Sequence, residues 1–295
     1  MRFKRTFLAL VIISLLSFQS WAQQDGSNWK PVETSFGRSG KLQPDGAFKF
    51  SMPRKDLNVT VAGTPIKAGL ALGSWVAFKG DVADSMVMGD LVLTEGEVEP
   101  VMLKLQQGGV EITALHNHVL NESPRVMYMH IAGHGNAAKL AQAIHDALAL
   151  TKTPAEAATP PAAQKIDLNT DRIDQALGRK GTDNNGIYQV SVPRTETIKA
   201  SAMEIPPSMG VATAINFQPT GGGKAAITGD FVLIAGEVNP VIAALRANGI
   251  EVTALHSHML DEEPRLFFMH FWANDDALKL AKGLRAAIDK TNSKE

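Results

Sequence analysis

Six of the eight histidines in this sequence have the spacing of metal ligands. They recur in two sets, His116, His118 and His130, and then His256, His258 and His270. Side chains two positions apart on a strand point to the same face, with Cα atoms about 6.5–7 Å apart. The two imidazoles of a His-x-His pair can therefore converge on one ion. Because there are no cysteines, any bound metal must be held by nitrogen and oxygen, which suits Zn, Cu, Mn or Fe.

The third histidine of each set joins the pair only if the two strands meet in the right register. If the turn centres near Glu122, His116 lies opposite Tyr128, and His130 follows one pleat further along the same face. A slip of one residue would turn His130 to the other face and break the site. The alternating pattern also predicts that Val110 and Ile112 continue the histidine face.

Glu97 and Glu237 are the candidate fourth ligands. Each follows a glycine at the end of a predicted strand and begins a helix. A carboxylate there could instead stabilise the helix N-terminus. Glu122 and Glu262, at the hairpin turns, are another option for a ligand.

Two further pairs recur in both sets. Asp90 and Asp230 follow glycine near a strand start, which is typical of turn residues. Arg125 and Arg265 follow proline, and they could neutralise the turn glutamates or bind an anionic ligand.

The hydrophobic pattern predicts the elements that must position these residues. It gives a strand, a helix, a hairpin and a second helix, over residues 86–94, 97–107, 110–132 and 136–150. The same order recurs after residue 228. Each unit is therefore predicted to be α+β, a largely antiparallel sheet with helices on one face and a split βαβ arrangement at its centre.

The chain is predicted to be a tandem duplication. Residues 89–151 align without a gap to residues 229–291, and 29 of 63 positions are identical. We expect a first repeat domain over residues 23–151 and a second over residues 169–295. Residues 152–168, rich in proline and alanine, are predicted to form a semi-stiff linker.

Residues 1–22 are expected to be a cleaved signal peptide. A basic start (Arg2, Lys4, Arg5) precedes an apolar stretch of twelve residues, too short to span a bilayer. The mature protein would be periplasmic or secreted, without a stable membrane anchor. Losing three basic residues would change its net charge from −1 to −4. Nucleic acid is therefore not an expected partner.

The second hairpin carries a distinctive pair of sequence strings. Residues 252–259 read VTALHSHM and residues 263–272 read EPRLFFMHFW. Both resemble the LppY/LpqO-homologue family of bacterial exported proteins, and the resemblance extends over both halves. Several members are lipoproteins, whereas this chain lacks the cysteine that lipidation requires. The resemblance implies export, but it supplies neither an activity nor catalytic residues.

Three functions remain open at this point. The leading hypothesis is two related His/Glu sites, one per repeat, that bind a transition metal or small ligand for delivery or sensing. The second is a metal-dependent hydrolase-like enzyme with one active and one degenerate site, because different residues surround His130 and His270. The third is an envelope interaction module whose histidines are structural.

Overall fold

The computed structural model describes residues 26–154, 166–200 and 203–294. The predicted signal peptide and most of the predicted linker lie outside these residues. Within the described residues, none of the helices is long and apolar enough to cross a membrane.

The first repeat is built on a six-stranded sheet in which every neighbouring pair is antiparallel. In spatial order its strands are Lys41–Leu42, Phe48–Pro53, Gly73–Asp81, Asp84–Thr94, Val126–Gly135 and Glu111–His116. The strand Val126–Gly135 lies between Asp84–Thr94 and Glu111–His116, which are parallel to each other and joined by a helix. This is the predicted split βαβ arrangement, and it is confirmed.

The second repeat has the same sheet in the same order. Its strands are Thr182–Asn184, Ile187–Pro193, Ala212–Gly221, Lys224–Leu233, Phe267–Asp276 and Glu251–His256. The α+β class and the duplicated antiparallel unit are therefore confirmed. Two small sheets complete the fold, formed by Ile198–Ala200 with Met203–Ile205, and by Thr64–Pro65, Thr60–Val61 and Glu122–Ser123.

Helices pack on one face of each large sheet. In the first repeat they are Lys30–Phe36, Glu95–Gln107 and Ala137–Leu148, and in the second Thr170–Leu177, Ala235–Ala247 and Ala277–Ile288. Shorter helical turns span Gly26–Trp29, Ala68–Ala71 and Pro207–Met209. The predicted helix at Glu97 begins two residues earlier, because Glu97 occupies its third position and accepts a hydrogen bond from the N–H of Thr94 (2.8 Å).

The other faces of the two sheets turn toward each other. Helix-side residues such as Met129 and Ile131 belong to a core within one repeat, whereas Tyr128 belongs to a core that includes Trp272 of the other repeat. Alternation along the strand then places His130 on the inter-repeat face with Tyr128. The two repeats therefore pack sheet to sheet, and the histidines lie between them.

Candidate functional site

Each histidine set lies on one hairpin. The first histidine hairpin is formed by Glu111–His116 and Val126–Gly135, and the second by Glu251–His256 and Phe267–Asp276. His116 pairs with Tyr128, and Ala114 pairs with His130. This is the register expected if the turn centres near Glu122, and in it His116 and His130 share a face. His256 pairs with Phe268 and Ala254 with His270 in the same way.

A β-bulge sets the histidine face apart from the rest of its strand. Ile112 pairs with Ile131, but Ala114 pairs with His130, so Thr113 is an extra residue in the ladder. The prediction that Val110 and Ile112 continue the histidine face is therefore wrong, since both pack in the helix-side core. The first strand also ends at His116, so His118 lies just beyond it rather than within it.

The bulged threonines join the two hairpins. The hydroxyl of Thr113 donates a hydrogen bond to the carbonyl oxygen of His258 (2.6 Å), and that of Thr253 donates to the carbonyl of His118 (2.5 Å). This reciprocal pair follows an approximate two-fold relation between the repeats. It brings all six histidines into one place, which is called the histidine chamber below.

Rings from the two repeats interleave in the histidine chamber. His116 and His256 have ring centroids 3.6 Å apart, and His130 and His258 are also 3.6 Å apart. His118 and His270 are 3.8 Å apart. Two groups offer ligand atoms within 4.8 Å of one another, namely His116, His118 and His130, and His116, His256, His258 and His270. The two separate sites expected from the sequence are thus two adjoining groups that share His116.

Burial keeps these imidazoles neutral. It lowers the pKa of His116 to about 4 and, with the neighbouring His116, that of His270 to about 3. The pKa of His118, His130 and His258 lies well below the ordinary value, through burial and through adjacent imidazoles. A neutral imidazole has a free lone pair on one ring nitrogen, which is the form that binds metals.

Several polar atoms in the chamber are buried without a hydrogen-bond partner among the described residues. They are Nε2 of His116, His118, His130 and His270, Nδ1 of His256, and Oδ1 of Asp90 and Asp230. Leaving one such atom unpaired costs about 1–3 kcal/mol. So many in one place, with nitrogen and carboxylate oxygen together, form a donor set that a cation would satisfy.

Asp90 and Asp230 are the carboxylates that the fold brings to the histidines. Asp90 pairs across the sheet with His130 and Asp230 with His270. Asp90 oxygens lie 3.9 Å from Nε2 of His118 and 4.0 Å from Nε2 of His130, and Asp230 lies 3.5 Å from Nε2 of His258. The expectation that both are turn residues is wrong, because each lies inside a long strand. Their role could have been found from the sequence, because both aspartates are retained in the two repeats and lie on a strand that could pair with the third histidine.

Burial raises the pKa of both aspartates. That of Asp90 is raised to about 8, and that of Asp230 lies well above the ordinary value because of burial and the nearby Asp90. Their charge is therefore unfavourable unless a cation lies close to them.

The structure places Glu97 and Glu237 elsewhere. Glu97 forms a bidentate ion pair with the buried Arg54, at 2.8 and 3.2 Å. Glu237 forms the equivalent pair with Arg194, at 2.7 and 3.1 Å. Each glutamate also accepts a hydrogen bond from the backbone N–H of the residue just before its helix. Neither glutamate is in the groups of converging ligand atoms. Their retention reflects a buried ion pair, which the sequence did not reveal.

The turn glutamates also have structural partners. Glu122 accepts a hydrogen bond from the N–H of Val126 (3.1 Å), and Glu262 accepts one from that of Leu266 (2.9 Å). The guanidinium of Arg265 lies 3.2 Å from Glu262, as one of the sequence hypotheses expected. Arg125 instead lies 4.0 Å from Glu95. The two glutamates therefore stabilise the hairpin turns.

A cavity of about 570 Å³ adjoins the histidine chamber. Its wall includes four of the histidines, His118, His130, His258 and His270, together with Asp90 and Asp230. Its remaining lining comes from both repeats and includes Lys49 and Trp75. A volume of this size can hold a small organic molecule.

The comparisons with known proteins locate the repeats but not an activity. The family model described as Domain of Unknown Function (DUF1259) matches residues 30–150 and again residues 171–290. A comparison with curated proteins finds no match.

Some solved structures show weak similarity. One is a double-ringed trimeric shell protein from the RMM microcompartment, with 14% identity, coverage of 70% of this chain and 81% of that chain, and a TM-score of 0.20. Another is the trimeric microcompartment shell protein PduB, with 12% identity, coverage of 85% and 89%, and a TM-score of 0.21. A third is the ethanolamine utilization protein EutL from Leptotrichia buccalis, with 9% identity, coverage of 85% and 95%, and a TM-score of 0.18. Such TM-scores are too low to indicate a shared fold or function.

Proposed function

We propose that this chain, which belongs to the family described as Domain of Unknown Function (DUF1259), binds a transition-metal ion in its histidine chamber. The observation that carries the proposal is the convergence of six histidines from both repeats, with two aspartates 3.5–4.0 Å from them and seven buried polar atoms of these residues unpaired within the described residues. A hydrophobic core would not retain so many unpaired donors and acceptors, because each is destabilising.

The donor set favours a metal such as Zn, Cu, Mn or Fe. Neutral imidazole suits Zn, Cu and Fe, and a carboxylate suits the harder Mn. Nε2 of His256 and Nε2 of His258 are 2.9 Å apart. Two ligands at right angles on an ion about 2.0–2.1 Å from each nitrogen would have about this separation. In the metal-free protein this contact is a hydrogen bond between the two rings, and an ion could take the place of the shared proton without a large movement of either ring.

The backbone around the site supports this assignment. Nδ1 of His270 lies 2.8 Å from the carbonyl oxygen of Gly229, and Nδ1 of His116 lies 3.1 Å from that of Asn117. A proton on each Nδ1 would make these contacts hydrogen bonds and leave Nε2 free as the ligand atom. Such contacts commonly fix the tautomer of a metal-binding histidine.

Elemental analysis of the purified chain tests this proposal. The protein is stripped with a chelator, loaded separately with Zn, Cu, Mn and Fe, and freed of excess metal before measurement. We expect retention of at least one metal by the wild type and strong loss in the double variant His256→Ala/His258→Ala. His134→Asn is the matched control, since asparagine occupies the equivalent position 274 and His134 lies outside the chamber. A wild type that retains none of the four metals contradicts the proposal.

A metal-dependent enzyme is the second candidate function, and the adjoining cavity is the observation that favours it. A catalytic site needs room for a substrate beside the metal, whereas a purely structural site is closed. The measurement is hydrolysis of a panel of ester and phosphoester substrates by the metal-loaded protein. Turnover that disappears in Asp90→Asn while the metal is still present would favour an enzyme over a binding protein.

We further propose that binding takes place outside the cytoplasm, on the basis of the signal-like residues 1–22. N-terminal sequencing of the protein purified from a bacterial host checks this. Cleavage after Ala22 and recovery in the periplasmic fraction are the expected results. Recovery of the uncleaved chain in the cytosol would contradict it.

A further inference from the structure

The cavity beside the histidine chamber is not shared equally by the repeats. Trp75 pairs with Asp90 in the first sheet, and Ala214 takes the equivalent position opposite Asp230. Likewise, Met88 in the first repeat is replaced by Thr228 in the second. The larger side chains fill the space over the first sheet, so the cavity opens over the second.

Lys49 is the cationic group that faces this cavity from the first repeat. Its ammonium nitrogen donates a hydrogen bond to the carbonyl oxygen of Ser208 (2.7 Å) and lies 4.3 Å from the ring centroid of Trp75. An ammonium group has three N–H donors, so this one carbonyl leaves donors for a ligand. The equivalent residue of the second repeat is the neutral Gln189, which also lines the cavity. The wall also includes Lys180 of the second repeat, so two lysines line the cavity, one from each repeat.

Metal binding changes the charge balance of this cavity. Asp90 and Asp230 carry two negative charges when ionised, and Lys49 and Lys180 carry one positive charge each. A divalent ion in the chamber would leave a formal excess of about two positive charges in a partly buried space. An anion that enters the cavity would offset part of that excess, and it would contact both the ion and Lys49.

We propose that the cavity binds a small organic carboxylate between the metal of the histidine chamber and the ammonium group of Lys49, with Trp75 as one wall. This inference rests on the proposed metal binding. The carboxylate fits because it can give one oxygen to the metal and the other to an N–H donor. The organic part then lies against the small side chains of Ala212 and Ala214, which line the second-repeat wall.

Cobalt-loaded protein allows metal binding and ligand binding to be measured separately. The visible absorption of bound Co²⁺ is followed during titration with acetate, benzoate and inorganic phosphate, while the cobalt content is measured on the same samples. We expect saturable spectral changes with acetate and benzoate. The apparent Kd should rise at least about tenfold in Lys49→Met, equivalent to about 1.4 kcal/mol. Lys49→Arg should restore part of the affinity, and Lys104→Met, on a helix of the outer face, should match the wild type.

Each outcome bears on one proposal. If neither cobalt nor any of Zn, Cu, Mn and Fe is retained, the metal proposal fails. If cobalt is bound but neither carboxylate changes the spectrum, or if Lys49→Met binds carboxylates as well as the wild type does, the carboxylate inference fails alone. Tighter binding of phosphate than of both carboxylates would also overturn it.

Discussion

The hydroxyl of Thr113 in the first repeat lies 2.6 Å from the carbonyl oxygen of His258 in the second. Thr113 is the bulged residue that turns His116 toward the chamber, so its backbone orients its own hairpin while its side chain holds the other. Thr253 repeats the arrangement toward His118. The site geometry and the packing of the repeats are therefore coupled.

Removing the two hydroxyls should weaken the chamber without unfolding the repeats. In the double variant Thr113→Val/Thr253→Val, each lost hydrogen bond should cost about 1 kcal/mol of unfolding free energy. Metal retention should fall because the hairpins are no longer fixed against each other. Thermal unfolding and elemental analysis measure the two effects, and the Thr→Ser double variant, which keeps both hydroxyls, is the control. Unchanged metal retention in the valine variant would show that the threonines do not position the site.

Asp90→Asn should have opposite effects on stability and on metal binding. Because the folded-state pKa of Asp90 is raised from 3.8 to about 8, the folded state favours the protonated form. The contribution of Asp90 to the free energy of unfolding is then fully present below the unfolded-state pKa of 3.8, and it is lost as the pH rises through about 8. The uncharged asparagine avoids this loss, so the metal-free variant should melt higher than the metal-free wild type at pH 8. It should also bind metal more weakly, because a carboxylate oxygen is gone.

Melting temperatures of metal-free protein and metal titrations at pH 8 check both effects of Asp90→Asn. A variant that melts lower and binds metal normally would assign Asp90 a structural role.

The metal-free protein should lose stability as the pH falls from about 6.5 to 4. The folded-state pKa of His116 is lowered from 6.5 to about 4, and burial lowers that of the other five chamber histidines as well, so the unfolded chain takes up protons in this range that the folded protein does not. The raised pKa values of Asp90 and Asp230 act in the opposite direction, but they are two groups against six. Stability therefore rises with pH across the interval. Urea unfolding at a series of pH values measures the slope, and His116→Asn should reduce it. An equal slope in His134→Asn and the wild type would show that the effect comes from the chamber.

Glu97→Gln should destabilise the protein and leave its metal content unchanged. The substitution removes one anionic partner of Arg54, which is fully buried, and losing a partner of a buried ion pair costs up to about 3–5 kcal/mol. Asp56 remains within 2.9 Å of the guanidinium, so the loss should fall at the lower end. Calorimetry and elemental analysis of Glu97→Gln and Glu237→Gln provide the check. If these variants are as stable as the wild type but bind less metal, the glutamates are metal ligands after all.

A bound metal should raise the melting temperature, because a ligand that prefers the folded state stabilises it. At a free concentration of 100 times its Kd the gain is about 2.7 kcal/mol, or about 5–10 °C for a chain of this size. The double variant His256→Ala/His258→Ala should show no such shift. If wild type and variant shift equally, the metal binds elsewhere.

Sequence patterns predicted the architecture because it depends on local periodicity and on a duplication that is visible without a gap. His116 lies opposite Tyr128, as expected if the turn centres near Glu122, but the sequence could not fix this register, because a slip of one residue leaves the same hydrophobic pattern. The bulge was not predictable from alternation, since an extra residue such as Thr113 leaves no gap in a hydrophobic pattern.

The carboxylates were misassigned for a different reason. Glu97 and Arg54 are 43 positions apart, and only the packed fold shows that they form an ion pair. Asp90 meets His130 through cross-strand pairing over a similar distance. The contacts between the two repeats join residues that are still further apart in the sequence. Retention in both copies marked all these residues as important, but it did not distinguish structural partners from site residues.

The single Trp75 and Lys49 side of the cavity has a consequence for how such a site could arise. Two identical subunits related by symmetry would carry the same residue at equivalent positions. Both walls would then be bulky or both small, and the position of Lys49 would be lysine in both subunits or in neither. Joining the copies in one polypeptide let Ala214 and Gln189 change independently of Trp75 and Lys49. The duplicated gene could therefore keep a symmetric set of histidines while one half specialised to fill space and the other to leave it open.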